Sequence, residues 1–342
     1  MLSLVTAYLI IRMQTKKVAL FNYTGHARHC GCQVGMINLE KKLNEFGITV
    51  VWRWAVGKDW RSDLDKIPDH IKIDALFVNG EGSIHHSHQR GRPNYLSLLG
   101  KFARQKLNVP AFLINTTVFE NEKEVYDNLR AFDGIFVRES FSQKILDSQG
   151  ICSHVVPDLT FARPLVVKTT KKRKGICGVD SVLPEISDAI QKFCFEHKWE
   201  YKSIKYPEPG FHFPSLFPKT EFLKKTTIKL VRLIEKYRRI NSFNFFIGAH
   251  KLVLSGRFHG VTLCLLTKTP FLALESNTPK ITWLLQDVFG HANRVLDPDA
   301  LPCTDMSKYC YWTETEAQQI KKYCFAAPQK VDGMLRNIKA KM

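Results

Sequence analysis

Short apolar runs alternate with longer segments of helical period along most of the chain. "KVALF" (17–21), "ITVVW" (48–52), "DALFV" (74–78), "PAFLIN" (110–115), "GIFV" (134–137) and "HVVP" (154–157) read as strands. Between them, segments 32–46, 95–105, 122–131 and 140–148 carry apolar residues three or four apart and predict helices. The alternation breaks at "RPLVVKTTKKRK" (163–174), a proline followed by a basic stretch without period, which reads as a linker. It then restarts with "GICGV" (175–179), a helix from near Leu183, "EYKSI" (200–204) and a helix within 219–238. "KLVLSG" (251–256), a helix from Phe258, "PFLALE" (270–275), a helix from Pro279 and a helical tail from Thr313 complete the pattern.

Strands alternating with helices predict an α/β protein with parallel sheets. The expected architecture is two Rossmann-like domains facing across a cleft, at 13–165 and 166–312, with a helix at 313–342 packing back across it. A length of 342 residues agrees with two cores rather than one.

The two parts echo each other. "KIDALFVNGEGSIHH" and "AHKLVLSGRFHGVTL" both run from an apolar strand through a glycine-bearing turn. In open α/β sheets ligands sit at the carboxyl ends of strands, so the two turns are expected to face one site. A helix N-terminus offers unpaired N–H groups, and a guanidinium adds a forked anion grip. Arg257 and His259 therefore read as an anion site. The same residues also suit an interdomain salt bridge and a core histidine. Arg138 of "FVRES" ends a strand before a helix start, where a capping salt bridge is its simplest use. Gly80 and Gly82 permit close backbone approach around Glu81. Asp158 of "VVPDLTF" follows a proline, a usual turn or cap position.

Composition narrows the function classes. Hydrophobic residues at 44% and charged residues at 24% are ordinary for a globular protein. A net charge of +18 suggests an anionic partner: nucleic acid, an anionic membrane or a small acidic substrate. The densest basic runs are 168–174 and 224–239; the second holds Tyr237 as its one aromatic, which argues against base stacking on nucleic acid. Nine scattered cysteines read as a reducing, cytoplasmic setting. Cys30 and Cys32 lack zinc-site spacing and read as small buried thiols at a helix start. His85, His86 and His88 match a metal tract only loosely, so no metal site is expected. The apolar stretch 2–11 is too short to span a bilayer and lacks signal-peptide features, and Met13 is a plausible start. No Walker loop, GxGxxG, GxSxG or HExxH pattern occurs.

Taken in order, "LFNYTGHARHCGCQVGMINLEKKLNEFG", "DALFVNGEGSIHH", "IFVRESFSQKIL", "VVPDLTF" and "LVLSGRFHGVTLCLLTKTPFLALESNTPKITWLLQ" resemble the polysaccharide pyruvyl transferases over roughly 17–290. The resemblance implies a GT-B-like fold, phosphoenolpyruvate as donor and a saccharide or lipid-linked oligosaccharide as acceptor, in cell-surface polysaccharide synthesis. It implies catalytic roles for His259, Arg257, Glu81 and Asp158. Substrate contacts are implied for Arg138, Gly80, Gly82, Ser83, Gly256, Ser276, Asn277 and Lys280. Neither metal nor cofactor is required. The chain departs from the family where many members have a glycine–aspartate pair after the first strand; here stand Gly25-His26, then His29-Cys30-Gly31. Many members also have three glycines at Gly80-Glu81-Gly82. Peripheral contact with the inner face of a membrane fits a lipid-linked acceptor and a basic helix. Two rivals remain: a GT-B glycosyltransferase with a nucleotide-sugar donor, in which Glu275 joins Arg257 and His259, and a non-catalytic basic binding module.

Overall fold

A computed structural model of the chain describes residues 15–62, 72–165, 172–207 and 221–342, the side chains of 221–229 excepted. The suggested start at Met13, half of the linker and part of the first basic run lie outside the described residues, as do the side chains of 224–229 in the second run.

Two wholly parallel sheets organise the protein. The first contains β1 (Lys16–Tyr23), β2 (Ile48–Ala55), β3 (Ala75–His85), β4 (Ala111–Phe119), β5 (Gly134–Val137) and β6 (His154–Val155), in the order β2-β1-β3-β4-β5-β6. The second contains β7 (Ile176–Ser181), β8 (Glu200–Lys202), β9 (Leu252–Gly256), β10 (Phe271–Leu274) and β11 (Val295–Leu296), in the order β11-β10-β9-β7-β8. The first residues of β4, Ala111 to Ile114, are buried on both faces of the sheet, which explains their unbroken apolar run. Strand order reverses between β1 and β3 in one sheet and between β7 and β9 in the other. These switch points are where helices diverge to opposite faces and leave a crevice.

The α-helices of the first half are α1 (Cys30–Glu45), α2 (Gly91–Ser97), α3 (Leu99–Phe102), α4 (Lys123–Leu129) and α5 (Ser140–Ser148). The second half adds α6 (Pro184–Glu196), α7 (Glu221–Ala249), α8 (Phe258–Thr267), α9 (Lys280–Phe289) and α10 (Glu314–Ala340). Two expectations need correction. The helix expected over 95–105 is broken into α2, α3 and a π turn at Ala103–Leu107 that ends on Asn108 in the left-handed region, at φ 52°. The helix expected within 219–238 runs on to Ala249, because Ile240, Phe243 and Ile247 continue its buried stripe into the second core. That core also takes Ile320 and Ala327 of α10, whereas Val331, Met334, Leu335 and Ile338 of the same helix complete the first core. Thr313 and Glu316 start α10 with a capping box, and Glu316 also binds buried Arg294 at 2.6 Å.

The halves are tied beside the crevice. His29 bridges antiparallel to Lys205, with Cys30 N–H donating to Ile204 O (3.1 Å) and Tyr206 N–H to Arg28 O (3.1 Å). On the far side Ser140 donates from N and Oγ to the Asp287 carboxylate, at 2.8 and 2.5 Å. Arg173, from the described end of the first basic run, donates to Thr267 O and Lys268 O at the carboxyl end of α8. A cation there complements the helix dipole, so this arginine has a structural use.

Candidate active site in the cleft

Both glycine turns end at the switch points and meet across one cavity of about 180 Å³. Its walls include His29, Cys32, Glu81, Gly82, Arg138 and, from the second half, Arg257, His259, Ser276 and Lys280.

The second-half wall is built by α8, whose first turn has no side-chain cap, leaving its amino-terminal N–H groups for a ligand. Arg257, at the N-cap, donates from Nη2 to Asp180 Oδ2 at 2.7 Å. Its Nε is buried with no hydrogen-bond partner among the described residues. Asp180 is itself fixed by Ser203 Oγ and the Ile204 N–H, both at 2.9 Å. Phe258 has a separate use: its ring lies under the Arg138 guanidinium at 4.0 Å, so the residue between Arg257 and His259 supports an arginine of the other sheet.

Arg138 is 2% exposed and donates to Thr117 Oγ1 (2.8 Å) and Asp158 Oδ2 (3.0 Å), with Glu139 at 3.7 Å. Burial pushes the Glu139 carboxyl up to about 7 against the pull of Arg138 and Ser142. Near neutrality Glu139 therefore cancels only part of the Arg138 charge. Asp158 behaves oppositely. Burial alone would raise its carboxyl, but His259, Arg138 and the Thr160 N–H bring it well below the usual carboxylate range. Asp158 is thus a fixed anion.

Lys280 opens α9, and its Nζ donates to Asn277 Oδ1 at 2.6 Å. Burial, followed by Arg138, lowers its ammonium to about 7. Gly82 lies between these cations: a Cβ there would stand 3.9 Å from both Arg138 Nη2 and Lys280 Nζ, inside the cavity. Glu275 is occupied elsewhere, accepting from the N–H groups of Ser276, Ile281 and Thr282 and so capping α9.

His259 sits where the halves meet. Its Nε2 is 3.6 Å from Glu81 Oε1 and 3.7 Å from Asp158 Oδ2, and its Nδ1 is 3.9 Å from Cys32 Sγ. Glu81 holds φ 43°, an uncommon backbone conformation for a residue with a side chain. The sheet register shifts between Glu81 and Ile84, so the carboxylate is presented by a local irregularity in β3. Gly31 makes the approach of His259 possible, since a Cβ there would lie 2.2 Å from the His259 Cβ.

Nine of the twelve residues singled out in the sequence thus gather around the cleft; Asn277 does so through Lys280, and Asp158 from behind His259. Gly80, Ser83 and Gly256 stand behind the wall. A Cβ on Gly80 would meet Thr116 at 2.3 Å and one on Gly256 would meet Ser181 at 2.5 Å, so both glycines answer to strand packing. Ser83 accepts from Asn22 Nδ2 at 3.2 Å.

Sequence reasoning missed His29, Cys32 and Asp180. His29 caps α1, its Nδ1 accepting from the Cys32 N–H at 3.3 Å. Burial, then the nearby His259 and Arg257, hold His29 well below the usual imidazole range. Cys32, expected as a core thiol, faces the cleft instead, and burial together with Glu81 pushes its thiol well up. Cys30 does enter the core. The His85–His88 tract packs together, with the His85 and His86 Nδ1 atoms 2.6 Å apart, but among the described residues it forms no three-ligand cluster: His85 also contacts Gly82 O at 3.0 Å, and His86 pairs with Glu120 at 3.0 Å.

Two parallel α/β sheets with a cleft between their switch points make this a GT-B-type fold. A UDP-GlcNAc 2-epimerase from Methanocaldococcus jannaschii, solved with UDP-GlcNAc and UDP, shares it at TM-score 0.51 and 10% identity, over 90% of this chain and 99% of its own. Another UDP-N-acetylglucosamine 2-epimerase matches at TM-score 0.52 and 12% identity, over 95% and 96% of the two chains. MnaA of S. aureus, in a co-structure with UDP, matches at 0.50 and 12%, over 91% and 96%. At such identities the likeness concerns the fold alone. Within that fold the sequence is decisive: the polysaccharide pyruvyl transferase model matches residues 37–278, and the chain belongs to that family. It is a transferase of polysaccharide modification. No curated protein sequence matches the chain.

Proposed function

We propose that the cleft binds phosphoenolpyruvate and transfers its pyruvyl group to two hydroxyls of a saccharide as a cyclic ketal. The observation that carries this reading is that Arg138 and Lys280 flank the gap at Gly82 while Arg257 lines the same cavity, its Nε buried and lacking a partner among the described residues. A small anion with carboxylate and phosphate on adjacent atoms meets that need, and the free N–H groups of α8 add donors.

The chemistry takes up a proton at C3 and makes C2 electrophilic. Two acceptor oxygens then bond to C2 as its bond to the phosphate oxygen breaks. Of the two hydroxyl protons released, one balances that taken up at C3 and the other leaves with phosphate. Asp158, a fixed anion, orients His259; His259 and Glu81, 3.6 Å apart, move the protons. Arg257, Arg138 and Lys280 neutralise the leaving phosphate. Asn277 holds the Lys280 ammonium, and Ser276 lines the donor wall. No metal or cofactor enters these steps.

Calorimetric titration with phosphoenolpyruvate tests this. Saturable binding by the wild type, lost in a folded Arg257→Ala variant, is expected. Absence of binding by the folded wild type, with candidate saccharides also present, overturns the reading.

A lipid-linked acceptor would bring the protein to an anionic membrane surface in the cytoplasm. Supporting this, α7 exposes Leu230, Leu233, Ile234 and Tyr237 at helical spacing beside exposed Arg232 and Arg238. No helix among the described residues is long and apolar enough to cross a membrane. Sedimentation with anionic but not neutral vesicles is expected, and equal behaviour with both removes the membrane role.

A further inference from the structure

Donor binding makes no use of three groups in the cleft, namely the His29 imidazole, the Cys32 sulfur and Nδ1 of His259. Their donor atoms all lie within 4.8 Å of one another, and Cys32 Sγ stands 3.9 Å from His259 Nδ1. We infer that His29, Cys32 and His259 form a binding site for a thiophilic divalent cation, of which Zn2+ is the best chemical match. The site rests on these side chains alone; only its consequence for His259 depends on the function proposed above.

Bond lengths support the match. With Zn–N near 2.0–2.1 Å and Zn–S near 2.3 Å, donors around a tetrahedral zinc are roughly 3.3–3.6 Å apart. The three groups reach that spacing by closing in by roughly 1 to 1.5 Å at most, within the range of side-chain rotation. The His29 contact with the Cys32 N–H is long at 3.3 Å, so its ring gives up little by turning. One thiolate with two imidazoles selects zinc over magnesium or calcium, which require oxygen ligands.

The surroundings are those of a metal ligand set. His259 points Nε2 toward Glu81 and Asp158, at 3.6 and 3.7 Å, leaving Nδ1 as the ligand atom. A carboxylate behind a ligating imidazole fixes its tautomer and raises its basicity. Arg257 and Arg138 already face Asp180 and Asp158, whereas the one ion-pair partner of Glu81 among the described residues is His259. Glu81 therefore supplies negative charge that a cation can use.

The backbone also brings the ligands together. Gly31 stands between His29 and Cys32 in sequence, and only the absence of its side chain lets His259 close on this turn. The bridge between His29 and Lys205 anchors the same turn to the other half. Three protein ligands leave a fourth position open toward the cavity, as in exchangeable rather than structural zinc sites. A metal on Nδ1 keeps the Nε2–H of His259 on the carboxylates. With Nδ1 metallated His259 cannot form the imidazolium, so metal binding competes with its acid–base cycle, and zinc loading leaves the arginines free to bind donor while stopping transfer.

The experiment uses the untagged full chain, dialysed against Zn2+ or Co2+ and assayed for bound metal by plasma mass spectrometry and absorption. One equivalent of metal and a thiolate-to-cobalt charge-transfer band are expected. Cys32→Ser, nearly isosteric, should abolish the band and weaken binding at least about tenfold. His29→Gln should weaken binding similarly, and Cys30→Ala should leave it unchanged. Substoichiometric metal on the wild type, a cobalt complex without the thiolate band, or binding unchanged in folded Cys32→Ser overturns the site. Phosphoenolpyruvate titration of the metal-free protein is scored separately. Donor binding without metal binding rejects this site alone, and metal binding without donor binding rejects the donor reading alone.

Discussion

The turns after β3 and β9 begin alike and then part. Each follows a buried strand at the switch point of its sheet, and each sets a glycine against a hydroxyl-bearing residue of a neighbouring strand, Gly80 on Thr116 and Gly256 on Ser181. Beyond the glycine, β3 continues to His85 and turns out one carboxylate at φ 43°, followed by the bare backbone of Gly82. After β9 the chain enters α8 at once, presenting Arg257, His259 and the unpaired N–H groups of a helix start. One turn supplies a wall with a carboxylate, the other a grip for an anion. The same sequence beginning gives opposite electrostatics because only one turn becomes a helix.

The largest effect that sharpens this contrast is a split between binding and turnover. Arg257→Ala should abolish donor binding, and the buried Asp180 left unpaired should cost about 3 kcal/mol of stability in chemical unfolding. Glu81→Gln should leave donor affinity within about threefold and lower phosphate release with an accepted saccharide by about 100-fold. If both variants lose binding equally, the two turns are not divided between grip and proton transfer.

A smaller effect concerns pH. With the Lys280 ammonium lowered to about 7, its charge is present below pH 7 and lost above. Phosphoenolpyruvate affinity should fall as pH rises through 7, with proton uptake on binding near pH 8, and Lys280→Met should flatten that part of the profile. In the free protein the sign for stability is opposite. An unfolded lysine titrates near 10.4, so the folded state holds fewer protons between 7 and 10.4, and this group adds stability as pH rises through that window. Isothermal titration in buffers of differing ionisation heat measures the uptake.

The smallest effect is the stability change expected from Glu81→Gly. Relief of the left-handed backbone, worth about 1 kcal/mol, opposes the greater freedom of glycine in the unfolded chain. Thermal unfolding should therefore change by less than about 1 kcal/mol, while turnover falls as in Glu81→Gln. A large loss of stability would make Glu81 a structural residue and erase the contrast between the turns.

Much of the cleft was legible in the chain because each turn carries its own chemistry locally. Arg257, His259, Arg138 and Lys280 all sit where an apolar run gives way to a helix start, and that transition is visible in sequence. The length of α7 was not, since its last turns depend on core contacts of Ile240 and Ile247. Nor was the use of Cys32, 227 residues away from the His259 it approaches. The nearby Cys30 and the tract at 85–88 draw attention for their spacing, yet spacing along a strand or helix start says nothing about which face meets another domain.

Local hydrophobic period and turn residues alone determined two parallel-sheet halves, the positions of the two glycine turns and the cationic character of one of them. These properties depend on neighbours a few residues apart. Tertiary structure decided that Asp158 stays a fixed anion while Glu139 titrates near 7, that Phe258 underlies an arginine of the other sheet, and that His29, Cys32 and His259 converge. Each of those depends on burial and on distances between elements that only the packed fold establishes.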